Sequence, residues 1–192
     1  GSQNVVEEVM TGTVKQEKAY GDISYLDNRD QHYMKEQVKF DWDRTHANSR
    51  IVAGDKPIDQ LGMVDSYRLL NNFHLTNRSS EYKGYEFLSL INLEKRPHSL
   101  AVSPNLFSEV IPIGVLDQQV DIHHFSTENS FCLLSAWRIG EVNIHPSATI
   151  DYQHNTLSSS LANFRNDLKF NFINAGFGAR ATYNREKLHV SF

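Results

Sequence analysis

The chain has 192 residues, of which 40% are hydrophobic, and its 19 basic and 23 acidic residues give a formal net charge of −4. This length is sufficient for one domain with a core of its own. The balanced charge and the lack of a basic block disfavour a nucleic-acid surface, so we expect no nucleic-acid partner. The single cysteine, Cys132, excludes an internal disulfide and a cysteine-rich zinc site. No apolar run is long enough for a transmembrane helix, although the strands of a membrane β-barrel need no such run.

The N-terminal pair Gly1-Ser2 is of the kind that cloning leaves behind, and no signal peptide follows it. The sequence shows no linker or composition shift that would divide the remaining chain. We therefore treat residues 3–192 as a single segment rich in β-strands.

Strict alternation of apolar and polar residues runs from Val142 to Gln153. Side chains on a strand point to opposite faces with a period of two, so this pattern predicts a strand with one apolar face. Pro146 lies within it and cannot donate a hydrogen bond to a neighbouring strand. We therefore expect a bulge or a rim position at Pro146.

Weaker alternation elsewhere extends this prediction to the whole chain. In one segment the apolar set changes phase, from Leu168, Phe170 and Phe172 to positions 173, 175 and 177, which predicts a β-bulge. In total the pattern predicts eight strands, at residues 12–26, 31–44, 66–76, 85–94, 118–137, 142–153, 168–183 and 188–192.

The predicted connections alternate between short and long. The short ones are 27–30, 77–84, 138–141 and 184–187, and the long ones are 45–65, 95–117 and 154–167. Strands of a β-sandwich usually have five or six residues, and several strands here are predicted to be twice as long. Long strands with short turns at one end and long loops at the other are typical of outer-membrane barrels. The predicted fold is all-β, with about eight antiparallel up-and-down strands that form part of a large outer-membrane β-barrel.

The alternation also predicts which side chains would face lipid. On the strand 142–153 these are Val142, Ile144, Ala148, Ile150 and Tyr152. The side chains between them would then face a wet lumen or a plug. Aromatic residues near the short turns could form an interfacial girdle, although aromatics are also common in strands generally. These residues are Tyr33, Tyr82, Tyr85, Trp137 and Tyr183.

Three segments resemble a known family. The run Tyr67–Asn77 resembles the descending strand before a periplasmic turn in TonB-dependent outer-membrane receptors of Bacteroidota. The run Pro97–Val110 is similar to the extracellular segment after the next strand in those receptors. The run Ser135–Pro146, continued by Asp151–His154, resembles their strand–turn–strand unit in the middle of the barrel. The resemblance covers the chain from about Tyr20 onward and consists mainly of spacing, aromatics, and Asn and His residues.

The resemblance implies a barrel of about 22 strands closed around an N-terminal plug. Such a receptor lies in the cell outer membrane and imports a scarce nutrient with the help of the TonB complex. This sequence has no plug, no TonB-contacting segment and only about eight strands, so we expect an internal barrel segment that is inactive alone. The implied partners are the plug domain and remaining strands of the same receptor, outer-membrane lipid, the TonB complex through the missing part, and an unidentified nutrient.

Recognition of the nutrient is expected at the long connections, because loops carry recognition on barrels. Exposed aromatic, arginine and amide side chains are favoured at recognition sites. The candidate ligand-binding residues are Arg50, His98, Phe107, Asn155 and Phe164.

Catalysis, cofactors and metal binding are not expected. His123 and His124 are adjacent and would point to opposite faces of a strand, as would His145 and His154, so neither pair could chelate one ion. The carboxylates of Asp41 and 43 share a strand face and could perform acid–base chemistry, but a solvated lumen explains them more simply. The serines at 158–160 lack the surroundings of a nucleophile elbow. We predict no catalytic residue, no metal, no cofactor and no enzymatic activity.

One alternative function stays open. The chain could be a soluble all-β module that binds a ligand, for example a carbohydrate, with its aromatic rows packed between two sheets. The two possibilities differ in whether the apolar rows face outward or meet in a common core.

Overall fold

A computed structural model describes residues 9–53, 56–80, 83–105, 109–111, 114–185 and 188–191. These residues form nine β-strands and no helix, so none of them belongs to a helix that could cross a membrane. In chain order the strands are β1 (Val9–Arg29), β2 (His32–Ala53), β3 (Lys56–Arg78), β4 (Gly84–Ser103), β5 (Leu116–Leu134), β6 (Trp137–Ile139), β7 (Val142–Leu161), β8 (Phe164–Arg185) and β9 (Leu188–Ser191).

All nine strands belong to one antiparallel sheet in which neighbours in the chain are neighbours in space. The order is β1-β2-β3-β4-β5-β7-β8-β9, and the short β6 pairs with β7 on the side that β5 occupies. Together β5 and β6 fill the place of the strand predicted at 118–137, so the sheet has eight strand positions. The predicted all-β, antiparallel up-and-down fold is therefore confirmed, as a sheet that is not closed into a barrel within the described residues.

Two faces of the sheet follow from the pairing. Side chains alternate between faces along each strand, and directly paired residues share a face. Phe40 of β2 pairs with Leu69 of β3, which pairs with Leu93 of β4, and this row continues across the sheet. We call the face that carries this row the band face. The other face, which carries Asp41 and its partners, is called the polar face.

The long loops predicted from the sequence were wrong. Residues 45–53 and 56–65 continue β2 and β3, residues 95–103 continue β4, and only Ala162 and Asn163 separate β7 from β8. The longer connection that remains covers residues 104–115. These segments lack the regular alternation of apolar and polar residues that identifies a strand. Each of them nevertheless pairs in register with a neighbouring strand, which satisfies its backbone hydrogen-bonding groups.

The short turns lie where they were predicted, at the opposite end of the sheet. Residues 30–31 and 140–141 form two of them. A third lies between β3 and β4, where the N–H of Ser79 donates to the carbonyl oxygen of Lys83, and residues 81–82 within it lie outside the described part, as do residues 186–187 of the fourth. Two glycines are required here. A Cβ on Gly84 would lie 2.1 Å from the carbonyl oxygen of Asn77, and Gly140 has a φ of +60°. A larger side chain would clash at the first position and strain the backbone at the second.

The bulge predicted at Pro146 is present on the strand that faces it. Cys132 pairs with Ser147 and Trp137 pairs with Ile144, so four residues on one side lie opposite two on the other. Because proline has no N–H to offer, the ladder breaks at this point and resumes as β6.

The bulge predicted within 168–183 was wrong. The register between β7 and β8 is continuous from Leu161–Phe164 to Val142–Tyr183. The apolar side chains instead change face partway along β8. From Ile173 to Tyr183 they lie on the band face, whereas nearer the start of the strand those of Leu168, Phe170 and Phe172 lie on the polar face.

Among the described residues, no second layer covers the sheet. Strands make extensive contacts only with their hydrogen-bonded neighbours. Val102 is the one apolar side chain that is buried within the described residues. Large apolar side chains on the band face, such as Phe177 at 92% exposure, have no protein partner covering them.

Candidate functional site

The band face carries an apolar band from β1 to β8, which is interrupted in its middle rows by Glu36, Asn71, Ser89, Thr127 and Asn129. The pairing gives its members as Ala19, Ile23 and Tyr25 of β1; Met34, Val38, Phe40 and Trp42 of β2; Tyr67, Leu69, Phe73 and Leu75 of β3; Tyr85, Phe87, Ile91 and Leu93 of β4; Phe125, Phe131 and Leu133 of β5; Val142, Ile144, Ala148, Ile150 and Tyr152 of β7; and Ile173, Ala175, Phe177, Ala179, Ala181 and Tyr183 of β8. Ring contacts lie inside this band, such as that between Tyr85 and Phe131 at 6.1 Å. An apolar surface of this extent is a site for lipid or for another protein.

The five residues predicted to face lipid lie together in this band. Val142, Ile144, Ala148, Ile150 and Tyr152 all point to the band face, and Ile150 is 53% exposed. The odd-numbered residues from Asn143 to Gln153 point to the polar face, and Pro146 lies on the band face. The contact of these five side chains with lipid itself stays a prediction.

We call the end of the sheet away from the short turns the upper end. At the upper boundary of the band lies a row of amphipathic and basic side chains. Successive pairing across five strands gives the row as Trp42, Tyr67, Lys95, His123 and Thr156.

Two residues beyond Trp42 on β2, Arg44 forms a contact of two hydrogen bonds with Asp65 on the band face. Its Nε donates to Asp65 Oδ1 over 2.6 Å, its Nη2 donates to Oδ2 over 3.3 Å, and its Cζ lies 5.4 Å from the Trp42 ring. The hydrogen bond to buried Asp65 raises the pKa of the Arg44 guanidinium. This pair marks the level at which the face changes from apolar to polar.

The aromatic residues predicted to form an interfacial girdle do not all lie on one face, and the girdle itself stays a prediction. Tyr85, Trp137 and Tyr183 point to the band face, whereas Tyr33 points to the polar face. There the ring of Tyr33 packs edge-on against His74 at 4.9 Å. Tyr82 lies outside the described residues.

The polar face carries hydrogen-bonded charged and amide side chains. Asp43 accepts hydrogen bonds from Gln16 at 3.0 Å and from Lys18 at 3.2 Å. Partial desolvation acts to raise the pKa of the Asp43 carboxyl, but the hydrogen bonds from Lys18 and Gln16 outweigh it and hold that pKa below its usual value. Asp41 lies on the same face, as predicted. With Asp43 engaged by a lysine, the two carboxylates form part of a solvated polar surface.

The predicted ligand-binding residues do not come together. Arg50 lies on the band face, where its Nε is 3.2 Å from Asp59. His98, Asn155 and Phe164 lie on the polar face, but on β4, β7 and the start of β8. The imidazole of His124 donates to Asn155 Oδ1 over 2.6 Å. Phe107 lies outside the described residues.

The histidines point as the sequence predicted, and one of them has a structural role that the sequence did not reveal. His123 and His124 lie on opposite faces, as do His145 and His154. Among the described residues, no group of three or more His, Cys, Asp or Glu side chains is arranged to hold a metal ion. At the bulge, the backbone N–H of Ser135 donates to His145 Nδ1 over 2.8 Å.

An open groove of about 540 Å³ lies on the band face at its upper boundary. The sequence did not indicate it, because its lining residues come from five strands. Its lining is apolar below and polar above, with Phe40, Tyr67, Leu69, Leu93, Lys95, His123, Phe125, His154 and Thr156 presented from the band face.

Comparison of the sequence with known proteins identifies no relative. No protein-family model matches it, and no curated protein matches it at a significant level. The structure therefore defines a class of fold, an open antiparallel up-and-down β-sheet with one apolar face.

Proposed function

We propose that the band face lies in the lipid of an outer membrane and that the polar face lines the lumen of a β-barrel. The observation that carries this proposal is the slope of the apolar band across the sheet. Strands of membrane barrels are tilted by about 35–45° from the barrel axis, so a band parallel to the membrane must shift along successive strands.

The slope follows from the strand pairing. On β1 the band is centred on residue 22, which is linked through the ladder to residue 172 of β8. On β8 the band is centred on residue 178 instead. The shift of six residues, about 20 Å, occurs over six inter-strand spacings, about 29 Å, and corresponds to a tilt of about 35°. With about nine residues along each tilted strand, the band is about 25 Å high, the height found in membrane barrels.

The soluble alternative requires the aromatic rows to be packed between two sheets. The described residues form a single sheet, and its large apolar side chains are exposed rather than covered. No feature of the described structure favours a carbohydrate-binding module over a lipid-facing wall.

The two outer edges of the sheet support a barrel with further strands. The outer edge of β1 is unpaired within the described residues, and the short β9 covers only Thr182–Arg185 of β8. Unpaired backbone groups are very costly in lipid, which is why membrane sheets close. In the proposed protein, additional strands of the same receptor pair with both edges.

The more specific proposal is that this barrel is a TonB-dependent receptor that takes up a nutrient. Its support is the position of the resembling segments. Tyr67–Asn77 leads directly into the short turn at 79–83, and Ser135–Pro146 contains β6, the turn at 140–141 and the start of β7. Plug, TonB complex and nutrient are the partners of this proposal. Nutrient contact would involve the strand ends opposite the short turns.

Site-directed spin labelling tests the membrane proposal with a matched pair of neighbouring positions. With Cys132 replaced by Ser, labels at Ile150→Cys and Thr149→Cys lie on the band and polar faces of the same strand. In phosphatidylcholine vesicles we expect the label at position 150 to collide with oxygen in the lipid and to be shielded from an aqueous nickel chelate, and the reverse at position 149. Shielding of position 150 from both reagents would contradict the proposal and favour a sandwich core.

A further inference from the structure

The groove at the upper boundary of the band has two rows of side chains with different chemistry. The lower row consists of Phe40, Leu69, Leu93 and Phe125, which we call the floor, and ends at His154 on β7; each residue is paired with the next. The upper row, which we call the rim, is Tyr67, Lys95, His123 and Thr156. A hydrocarbon floor directly below a basic rim matches the two parts of an amphiphile.

The rim is suited to an anionic group. Lys95 is exposed and takes part in none of the ion pairs found among the described residues, and it is paired with His123 on the adjacent strand. Glu94 also borders the groove, but its position in the pleat turns its side chain to the polar face, where it accepts a 2.5 Å hydrogen bond from Arg96. Of the carboxylates beyond the rim on the same face, that of Asp65 is bound by Arg44. That of Asp121 lies two residues beyond His123 on β5, opposite Ser158.

The floor distinguishes a lipid from a free anion. Leu69 and Leu93 are 38% and 42% exposed, and Phe40 is 43% exposed, so all three offer apolar area to a ligand. Inorganic phosphate would contact the rim alone and leave this area uncovered. An acyl chain would pack along the floor, which a free phosphate cannot do.

We propose that this groove binds a phosphorylated lipid, with the phosphate on Lys95 and His123 and an acyl chain along the floor. The inference rests on the proposed function, since it requires the band face to lie in a bilayer. It goes further by assigning a specific site to one chemical class of lipid.

Fluorescence quenching by brominated lipids tests this site, because Trp42 is adjacent to it in the same row as Tyr67. The chain has two tryptophans, so Trp137→Phe leaves Trp42 as the only reporter. The probe is phosphatidic acid with brominated acyl chains, present as a minor fraction in phosphatidylcholine vesicles. We expect it to quench Trp42 about fivefold more effectively than the same fraction of brominated phosphatidylcholine, the preference that one lysine near a membrane surface provides.

Variants locate the preference. Lys95→Gln with His123→Gln should abolish it, whereas Lys95→Arg should retain it. Lys39→Gln is the control, since Lys39 lies on the polar face of β2, three residues below Trp42, and it should leave the preference intact. Retention of the preference in the double variant would overturn the site.

The remaining outcomes separate this inference from the proposed function. Equal quenching by both brominated lipids would overturn the phosphorylated-lipid site while agreeing with a lipid-embedded band face. Quenching by neither would overturn both. Displacement of the brominated phosphatidic acid by inorganic phosphate would show a phosphate site rather than a lipid site, and would also overturn the inference.

Discussion

Asn71 Nδ2 donates a hydrogen bond of 3.2 Å to Glu36 Oε1 in the middle of the apolar band. Two strands away, the hydroxyl of Ser89 donates to Asn129 Oδ1 over 2.8 Å on the same face. Polar groups that face lipid are costly unless they bond to each other. These pairs therefore provide each other with the partners that lipid would not supply.

Asn71→Leu should destabilise the protein by about 1–3 kcal/mol, because it leaves the Glu36 carboxylate without its amide donor. The double variant Glu36→Leu with Asn71→Leu should recover most of this loss, since both members of the pair are then apolar. Urea unfolding in micelles, followed by tryptophan fluorescence, measures both effects. Asn72→Leu on the polar face is the matched control. Simple addition of the two single effects would contradict the pairing.

His145→Ala should also be destabilising, by about 1–3 kcal/mol, because the N–H of Ser135 at the bulge would lose its acceptor. His145 Nε2 lies 2.9 Å from Thr182 Oγ1, so the ring accepts at Nδ1 and donates at Nε2. Thr182→Val removes only the second of these bonds and should cost about 0.5–1.5 kcal/mol. Equal losses in the two variants would show that the bond to the bulge contributes nothing, and unfolding curves in micelles compare them.

The bulge at His145 illustrates how far the sequence predicts this fold. Pro146 predicts that the ladder must break, because a proline has no N–H, and the break occurs there. The sequence does not reveal which group accepts a hydrogen bond from the N–H of Ser135. That depends on how residues 133–136 fold opposite residues 145–146. Similarly, period two predicts the faces within each strand. Which residues of two neighbouring strands share a face depends on the pairing register, and the register depends on the length of each turn. The sequence did not give these lengths, so the residues that line the groove could not be predicted.

The segments that were predicted to be loops show why composition and periodicity did not identify the full length of the strands. Residues 154–161 are mostly polar, and neither face of that stretch is consistently apolar, so periodicity could not identify it as a strand. It becomes a strand because β5 and β8 pair with it on both sides. The candidate ligand residues Arg50 and His98 were chosen as loop residues. They lie on opposite faces because both positions are in strands, where parity and register determine their direction.

Acid should weaken the protein partly through Asp43. The pKa of this carboxyl is lowered from its ordinary value of 3.8 in the folded state. The ionised form therefore stabilises the fold at pH values above about 3.8, and this contribution is lost as the pH falls through the lower folded-state value. In Asp43→Asn we expect a smaller loss of unfolding free energy between about pH 6 and about pH 2. Asp41→Asn, on the same face, removes a carboxylate but keeps the Lys18–Asp43 pair. An equal change in both variants would contradict the role of that pair.

Arginine substitution at different depths of the band gives a quantitative test of lipid contact. Ala148 lies near the middle of the band on β7, and Ala181 lies near its lower edge on β8. In a bilayer, arginine on the lipid face costs about 2–4 kcal/mol at mid-depth and about 0–1 kcal/mol near the interface. We therefore expect Ala148→Arg to reduce the free energy of unfolding from vesicles far more than Ala181→Arg does.

The control for this series is Thr149→Arg, next to Ala148 in the chain but on the polar face. It should have a small effect, because water reaches the polar face of a barrel and hydrates the guanidinium. Unfolding in urea from phosphatidylcholine vesicles gives the three values under the same conditions. A large cost at both alanines would indicate a packed protein interface along the whole band, since a packed interface penalises arginine at every depth. A small cost at both would mean that water covers the band face.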